Sequence, residues 1–418
     1  MTAREQAASL DAERWLLGRE LFGMRFGLDR MRRLLTALGS PQEAFRSVHV
    51  VGTNGKSSTV RMTAAILEAH GIRTGSYLSP HLVSFRERIR VGDRDLGPEE
   101  FACAIDRVRR AAEKVDRTLT GGDRVTQFEA LTAAAYFELA RQGVEAAVVE
   151  AGLGGRWDAT NVIPSEVAVL TNVGLEHTRW LGPTVRDIAR EKLAVVRPRS
   201  TLVLGEGLHP DAFLEAHATP AGRIVVAPAD PGVAVGARGA FQRRNFATAR
   251  EAARALAGPL DDAAVRAAAD AVRVPGRFEV VDSDPVTIVD GAHNPGGMRA
   301  VADSLGDLHH PLVVVLSVLD DKDATAMLRA LLPHADALVC TSNANPRALP
   351  PATLASLTDQ LGGACSEMEP LVEPDPHRAL ARARDLAGPD GAVLATGSIY
   401  LVADLLRPRG SSEPRSML

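Results

Sequence analysis

A chain of 418 residues is long enough for two or three domains of roughly 100 to 200 residues each. Its 45% hydrophobic and 24% charged residues are the balance of a folded globular protein, which excludes a disordered, collagen-like or coiled-coil chain. A net charge of −4 argues against a basic nucleic-acid or acidic-membrane binder, so neither nucleic acid nor membrane is expected as a partner.

The longest apolar run, residues 312–319, falls short of the roughly 20 residues a membrane helix needs, and the opening MTAREQAASL lacks the shape of a signal peptide. A cytoplasmic protein is therefore expected. Three cysteines, Cys103, Cys340 and Cys365, without C-x-x-C spacing, support neither a disulfide framework nor a structural zinc site.

Along the chain, short β-branched runs alternate with alanine-rich amphipathic stretches, the pattern of an α/β fold with a mainly parallel sheet. Strands are predicted at residues 48–51, 146–151, 167–172 and 201–204, with helices at 58–70, 128–141 and 185–196. Pro275, Gly276 and Pro285 then break the periodicity and suggest a hinge over 275–285. A second series follows: strand VTIVD from Val286, a helix over 298–305, and strands beginning near Leu312, Ala337 and Ala392. Two domains result, 1–280 and 281–418.

Of the 48 basic residues only four are lysine (Lys56, Lys114, Lys192, Lys322), so each lysine is a marked choice over arginine. Lys56 closes the turn G-T-N-G-K-S between a buried-looking strand and an amphipathic helix. Gly52 and Gly55 let the backbone fold with its N–H groups inward, and the helix start adds its positive dipole end, which together make a phosphate cradle. Lys56 would reach the β- and γ-phosphates, and a hydroxyl at Ser57 or Ser58 would sit near a metal. The full phosphate-loop pattern wants glycine where this chain has Val50, so the loop is a variant.

Glu150 ends the strand before AGLGGRWDATNV, and Asn172, Glu176 and His177 lie just past the next one. Two strand ends thus bring a carboxylate and an imidazole to one edge of the sheet, where α/β sheets carry their chemistry. Phosphate oxygens would complete a Mg²⁺ shell, and a histidine ligand leaves Mn²⁺ open. Glu191 and Lys192, adjacent on a helix, point in different directions, and periodicity alone leaves both solvated.

Taken together, HVVGTNGKSS, YLSPHL from Tyr77, TQFEALTAAAYF from Thr126, EAGLGGRWDATNV, NVGLEHTRWLG, AREKLAVV, VPGRFEVV, VDGAHNP from Val289, LDDKD and ATGSIYLVA resemble the folylpolyglutamate synthase and dihydrofolate synthase family of the Mur ligase superfamily. The resemblance runs in order from about Arg25 to Ala403. It implies a Mur-ligase-like ATPase domain with a parallel-rich sheet plus a smaller Rossmann-like C-terminal domain. The active site would lie in the cleft between them, closing about residues 275–285. The implied activity is an ATP-dependent ligase, a monomer, that joins L-glutamate to dihydropteroate or to the γ-carboxyl of a folate through an acyl phosphate.

Residue by residue, the resemblance implies nucleotide contacts at Thr53, Asn54, Gly55, Lys56, Ser57, Ser58, Asn245, Arg277 and Asp290. Metal ligands would be Ser79, Glu150 and His177, with Lys192 modified by CO₂ to a carbamate that supplies further oxygens. The pterin pocket would take Arg25, Phe26, Gly27, Leu28, Thr126, Gln127, Phe128, Glu129, Trp157, Asp158 and Ala159. His293, Ser398 and Tyr400 would face glutamate and the acyl phosphate. Lys56, Glu150, His177, Lys192, Asp290 and His293 form the implied catalytic set. Two departures stand out: Ser57 where the family has glycine, and Glu176 where it has aspartate. A different Mur-type ligase acting on a non-folate carboxylate is the alternative. Such ligases carry roughly 100 residues of substrate domain ahead of the phosphate loop, whereas 51 precede Gly52 here.

Overall fold

The computed structural model describes residues 3–19, 27–208, 221–362 and 369–407. The chain forms two compact units, one running to Gly236 and resuming over Arg243–Val272, the other comprising Ala237–Gln242 and the chain from Arg273. Each is α/β, as the alternation of residue patterns predicts.

The first unit is built on eight strands: β1 (Arg46–Val51), β2 (Thr74–Tyr77), β3 (Ile89–Val91), β4 (Arg94–Asp95), β5 (Ala146–Glu150), β6 (Val167–Leu170), β7 (Thr201–Leu204) and β8 (Arg223–Val226). They lie in the order β4-β3-β2-β5-β1-β6-β7-β8, parallel from β2 to β8, with β3 and β4 added antiparallel at one edge. Strands β5 and β6 read as near-continuous apolar runs because both faces are covered, while β1 admits the buried Ser47 and His49. On one face Tyr77, Ala147 and Val149 pack against Leu34, Phe101 and Leu131 from helices Asp29–Ala37, Pro98–Asp116 and Gln127–Arg141. On the other, Val51, Leu170 and Leu204 pack with Leu193 of helix Val185–Leu193.

The second unit carries β9 (Glu279–Ser283), β10 (Val286–Val289), β11 (Leu312–Leu316), β12 (Ala337–Cys340), β13 (Leu371–Val372) and β14 (Ala392–Thr396), in the order β13-β12-β11-β14-β10-β9. All neighbours are parallel except the edge pair β10–β9. The stretch read from Pro275 to Pro285 as irregular thus contains a strand. Its proline and glycine bound the strand without entering it, and one edge strand tolerates such flanks. No helix among the described residues is long and apolar enough to cross a membrane.

Candidate active site

In the order β2-β5-β1-β6, four parallel strands end side by side, so the residues just past Tyr77, Glu150, Val51 and Leu170 share one edge of the sheet. Ligands of open α/β sheets bind at this carboxyl edge, where successive connections turn to opposite sides of the first strand. Val50 pairs with Glu150 and Val51 with Leu170, which sets the carboxylate level with the start of the glycine loop.

The loop needs its two glycines. Gly52 adopts φ 155° and Gly55 φ 81°, and an added Cβ would stand 1.9 Å from Thr171 Oγ1 or 2.5 Å from Asn245 Oδ1. Gly55 heads helix Lys56–Ala69, whose unpaired N–H groups make the start an anion site. The neighbouring strand end pins the loop. Asn172 accepts from the Thr53 N–H through its carbonyl (3.1 Å) and from the Asn54 N–H through Oδ1 (2.9 Å), and Thr171 Oγ1 donates to the Asn54 carbonyl at 2.6 Å. Thr171 was not singled out from sequence; the available signal was a hydroxyl residue at the end of a strand flanking the loop.

Two of the four lysines converge here. Lys56 Nζ donates to the carbonyls of Gly52 and Thr53, each at 3.2 Å, and Lys192 Nζ donates to the same Gly52 carbonyl at 2.7 Å. Lys192 is only 5% exposed. Burial, and then the charge of Lys56, pull its pKa from the ordinary lysine range to about 7. Its neighbour Glu191 instead pairs with Arg156 at 2.8 Å, so the helix buries one member of the pair and leaves the other nearer the surface. Periodicity over nine residues could not select the buried one.

Glu150, 2% exposed, accepts from the Ser57 hydroxyl at Oε1 (3.0 Å) and from the Ser79 N–H at Oε2 (3.2 Å). Ser58 is buried in the inner face of the helix. His177 is exposed, takes left-handed backbone at φ 52°, and holds Nε2 3.9 Å from Glu176 Oε1. Among the described residues, no group of three or more His, Cys, Asp or Glu could by itself hold a metal ion. A cation here would draw on one carboxylate, hydroxyl oxygens and the ligand's own oxygens. That sparse hard-oxygen set fits Mg²⁺, which keeps waters and takes phosphate oxygens.

Next to this cluster, buried Asp158 ties down its own glycine loop. Its Oδ2 accepts from the Leu153 N–H (2.8 Å) and Oδ1 from the Thr160 N–H (3.0 Å), and burial raises its pKa. The Thr160 hydroxyl bonds both Asp158 and, at 2.8 Å, Nε2 of the buried His49. Ala159 is buried and Trp157 is 42% exposed. Phe128 lies over Gly152, where a Cβ would come within 2.6 Å of its ring, and 6.1 Å from the Tyr77 centroid. Thr126 and Glu129 form the capping box of helix Gln127–Arg141, Glu129 also accepts from Arg30 Nε at 3.1 Å, and Gln127 Nε2 donates to the Leu16 carbonyl. These three polar groups hold the fold at this end of the helix. Gly27 and Leu28 immediately precede helix Asp29–Ala37; Arg25 and Phe26 lie outside the described residues.

In the second unit the segments after β10 and β14 carry Asp290, His293, Ser398 and Tyr400, and Arg277 lies just before β9. Asp290, 3% exposed, accepts the Phe278 N–H at Oδ2 (2.8 Å) and the Ala292 N–H at Oδ1 (2.7 Å). Burial raises its pKa while Arg277 opposes the rise. Phe278 sits at φ 52°, left-handed backbone that a bulky residue rarely adopts, and the carboxylate bond holds it there. Arg277 runs over Gly291, where a Cβ would meet Nη1 at 3.1 Å. His293 Nδ1 stands 2.8 Å from the Gly291 carbonyl. Ser398 caps helix Ile399–Leu406 by accepting the Tyr400 N–H.

Comparison with known proteins adds to this geometry. Residues 276–399 match the model for the Mur ligase glutamate ligase domain. The dihydrofolate synthase/folylpolyglutamate synthase of Bacillus subtilis is 31% identical over 94% of this chain and 97% of its own length. The probable bifunctional folylpolyglutamate synthase/dihydropteroate synthase of Haloferax volcanii is 34% identical over 94% of this chain, and the chain spans half the length of that relative. Among solved structures, Mycobacterium tuberculosis folylpolyglutamate synthase complexed with ADP superposes with a TM-score of 0.86 at 31% identity, covering 96% of this chain and 98% of that one. A bifunctional folylpolyglutamate synthase/dihydrofolate synthase with Mn, AMPPNP and L-glutamate bound gives 0.82 at 28% identity, over 94% and 97% of the two chains.

Proposed function

We propose that this chain, which belongs to the dihydrofolate synthase/folylpolyglutamate synthase family of ATP-dependent ligases, joins L-glutamate both to dihydropteroate and to the γ-carboxyl of a folate. The observation that carries the reading is the convergence of Lys56 and Lys192 on the Gly52 carbonyl, one strand away from buried Glu150. Such a site sets the Lys56 ammonium, and a second lysine whose amine loses its proton near neutrality, where a triphosphate and a carboxylate must approach each other.

The carboxylate oxygen of the pterin substrate attacks the γ-phosphorus, the bond to the bridging oxygen breaks, and ADP leaves. The amine of glutamate then attacks the acyl carbon, inorganic phosphate leaves, and the amine gives up a proton as the amide forms. Lys56, the loop N–H groups and the helix start screen the phosphate charge, so catalysis is mainly positioning and electrostatics. Glu150, Ser79 and His177 would hold Mg²⁺, with Mn²⁺ also accepted, and the ion would screen the approach of the two anions. Lys192, with its pKa near 7, has a neutral amine available to add CO₂; nitrogen bonds to carbon, one proton leaves, and the carbamate offers oxygens in place of an ammonium. Thr53, Asn54 and Gly55 with Asn245, and Arg277 with Asp290, are assigned to the nucleotide. Phe128, Trp157 and Asp158 are assigned to the pterin side, and His293, Ser398 and Tyr400 to glutamate and the acyl phosphate. A monomer acting in the cytoplasm completes the reading.

The test is ADP release by purified protein with Mg-ATP and L-glutamate, adding dihydropteroate, tetrahydrofolate or no pterin. Stimulation by both supports the bifunctional reading, and stimulation by one narrows it. With neither effective while ATP still binds, the folate substrates are wrong and other carboxylates should be tried.

A further inference from the structure

Three hydroxyl residues follow Lys56, and the structure separates them. Thr59 Oγ1 donates back to the Gly55 carbonyl at 2.9 Å. Ser58 is 3% exposed and buried within the first unit. Ser57 alone of the three reaches the carboxylate, donating to Glu150 Oε1 at 3.0 Å, while the other carboxylate oxygen takes the Ser79 N–H. In phosphate loops of the form G-K-[ST], the hydroxyl directly after the lysine is the one that meets magnesium. Ser57 occupies that position, whereas the family pattern has glycine there.

We propose that Ser57 Oγ is an additional oxygen ligand of the divalent cation in this protein, alongside Glu150 and the Ser79 side of the site. The inference rests on the metal reading proposed above and adds a residue to it. Without a cation, the hydroxyl hydrogen points at Glu150 and keeps the buried carboxylate hydrogen-bonded. With a cation, the same oxygen turns a lone pair to the ion and Glu150 exchanges the hydroxyl hydrogen for the metal. A hydroxyl serves both states because it is donor and acceptor at once. Glycine at this position can do neither, and water must take its place in the shell.

The experiment is Mn²⁺ binding to the ADP-loaded protein, followed by electron paramagnetic resonance of free Mn²⁺, for wild type, Ser57→Ala, Ser57→Thr, Ser57→Cys and Glu150→Gln. The alanine variant should weaken Mn²⁺ binding to the ADP-loaded protein about tenfold, the scale on which groups supporting a metal act; a loss of metal-free ADP affinity as large as the loss in Mn²⁺ binding would assign Ser57 to the nucleotide alone and overturn the proposal. The threonine variant should bind within about twofold of wild type, since the hydroxyl is restored. The cysteine variant should shift preference from Mg²⁺ toward Cd²⁺, because a thiolate is a soft ligand; a hydroxyl that merely steadied Glu150 would not move that preference. Alanine-variant binding equal to wild type, with Glu150→Gln still weakened, overturns the proposal and leaves the metal reading standing. If Glu150→Gln also binds Mn²⁺ like wild type, both fall.

Discussion

Glu150 closes β5 and Asp290 follows β10, each a buried carboxylate at the carboxyl end of its strand, one in each unit, yet they are held in different ways. Both oxygens of Asp290 accept backbone N–H groups, from Phe278 and Ala292, and those bonds join two loops and keep Phe278 in left-handed backbone. One oxygen of Glu150 instead accepts from a side-chain hydroxyl, which can rotate away at little cost. Burial fraction does not tell the two apart; the kind of partner does. The main-chain donors fix Asp290 in place and tie two loops together before any nucleotide arrives, whereas the movable hydroxyl lets a Glu150 oxygen turn to a ligand.

The largest effect expected from this contrast is on turnover. Glu150→Gln should lower kcat for ADP release by about 100-fold or more, the scale of losing one preorganised electrostatic group, while calorimetry finds Tm changed by no more than a degree or two. Asp290→Asn tests the opposite member. Its amide can accept on only one side, so one buried N–H loses its acceptor at a cost of roughly 1–3 kcal/mol, and Tm should fall by roughly 3–8 °C. Should Glu150→Gln melt early and Asp290→Asn melt like wild type, the distinction between the fixed and the movable carboxylate collapses. A third test concerns Lys192 and is read in stability alone. Its folded pKa near 7 lies below the ordinary lysine value of about 10.4, so between those values the unfolded chain binds a proton that the folded chain does not. Stability should therefore rise with pH from about 7 to about 10 in CO₂-free buffer. Lys192→Met should flatten that rise in urea titrations taken across the same pH range.

The strand, turn and helix around Gly52 to Lys56 were legible because each signal is local: a β-branched run, two glycines, a rare lysine and an amphipathic stretch. Glu150 was legible for the same reason, as an acid closing an apolar strand. The burial of Lys192 was not, because a short helix with charges on several faces does not reveal which one the rest of the fold will cover. Asn245 came only through the family resemblance; its contact with Gly55 joins residues far apart in sequence, and nothing in RRNFATA announces it. Ser57 is the reverse case. Sequence left it level with Ser58 as the metal-side hydroxyl, and only the positions of the side chains distinguish them.

The pairing of Val50 with Glu150 has a consequence for how this chain can vary in length. Adding or removing one residue inside β1 or β5 would turn every following side chain to the opposite face, sending the acid away from the loop it serves. The turns at the other end of the same strands, around Gly143 before β5 and Pro164 before β6, lie on the opposite edge and carry none of the loop's partners. Insertions and deletions should therefore be tolerated at the amino ends of these strands and rejected at their carboxyl ends. A scan of single-residue insertions, scored for folding and for ADP release, would trace that polarity along the sheet.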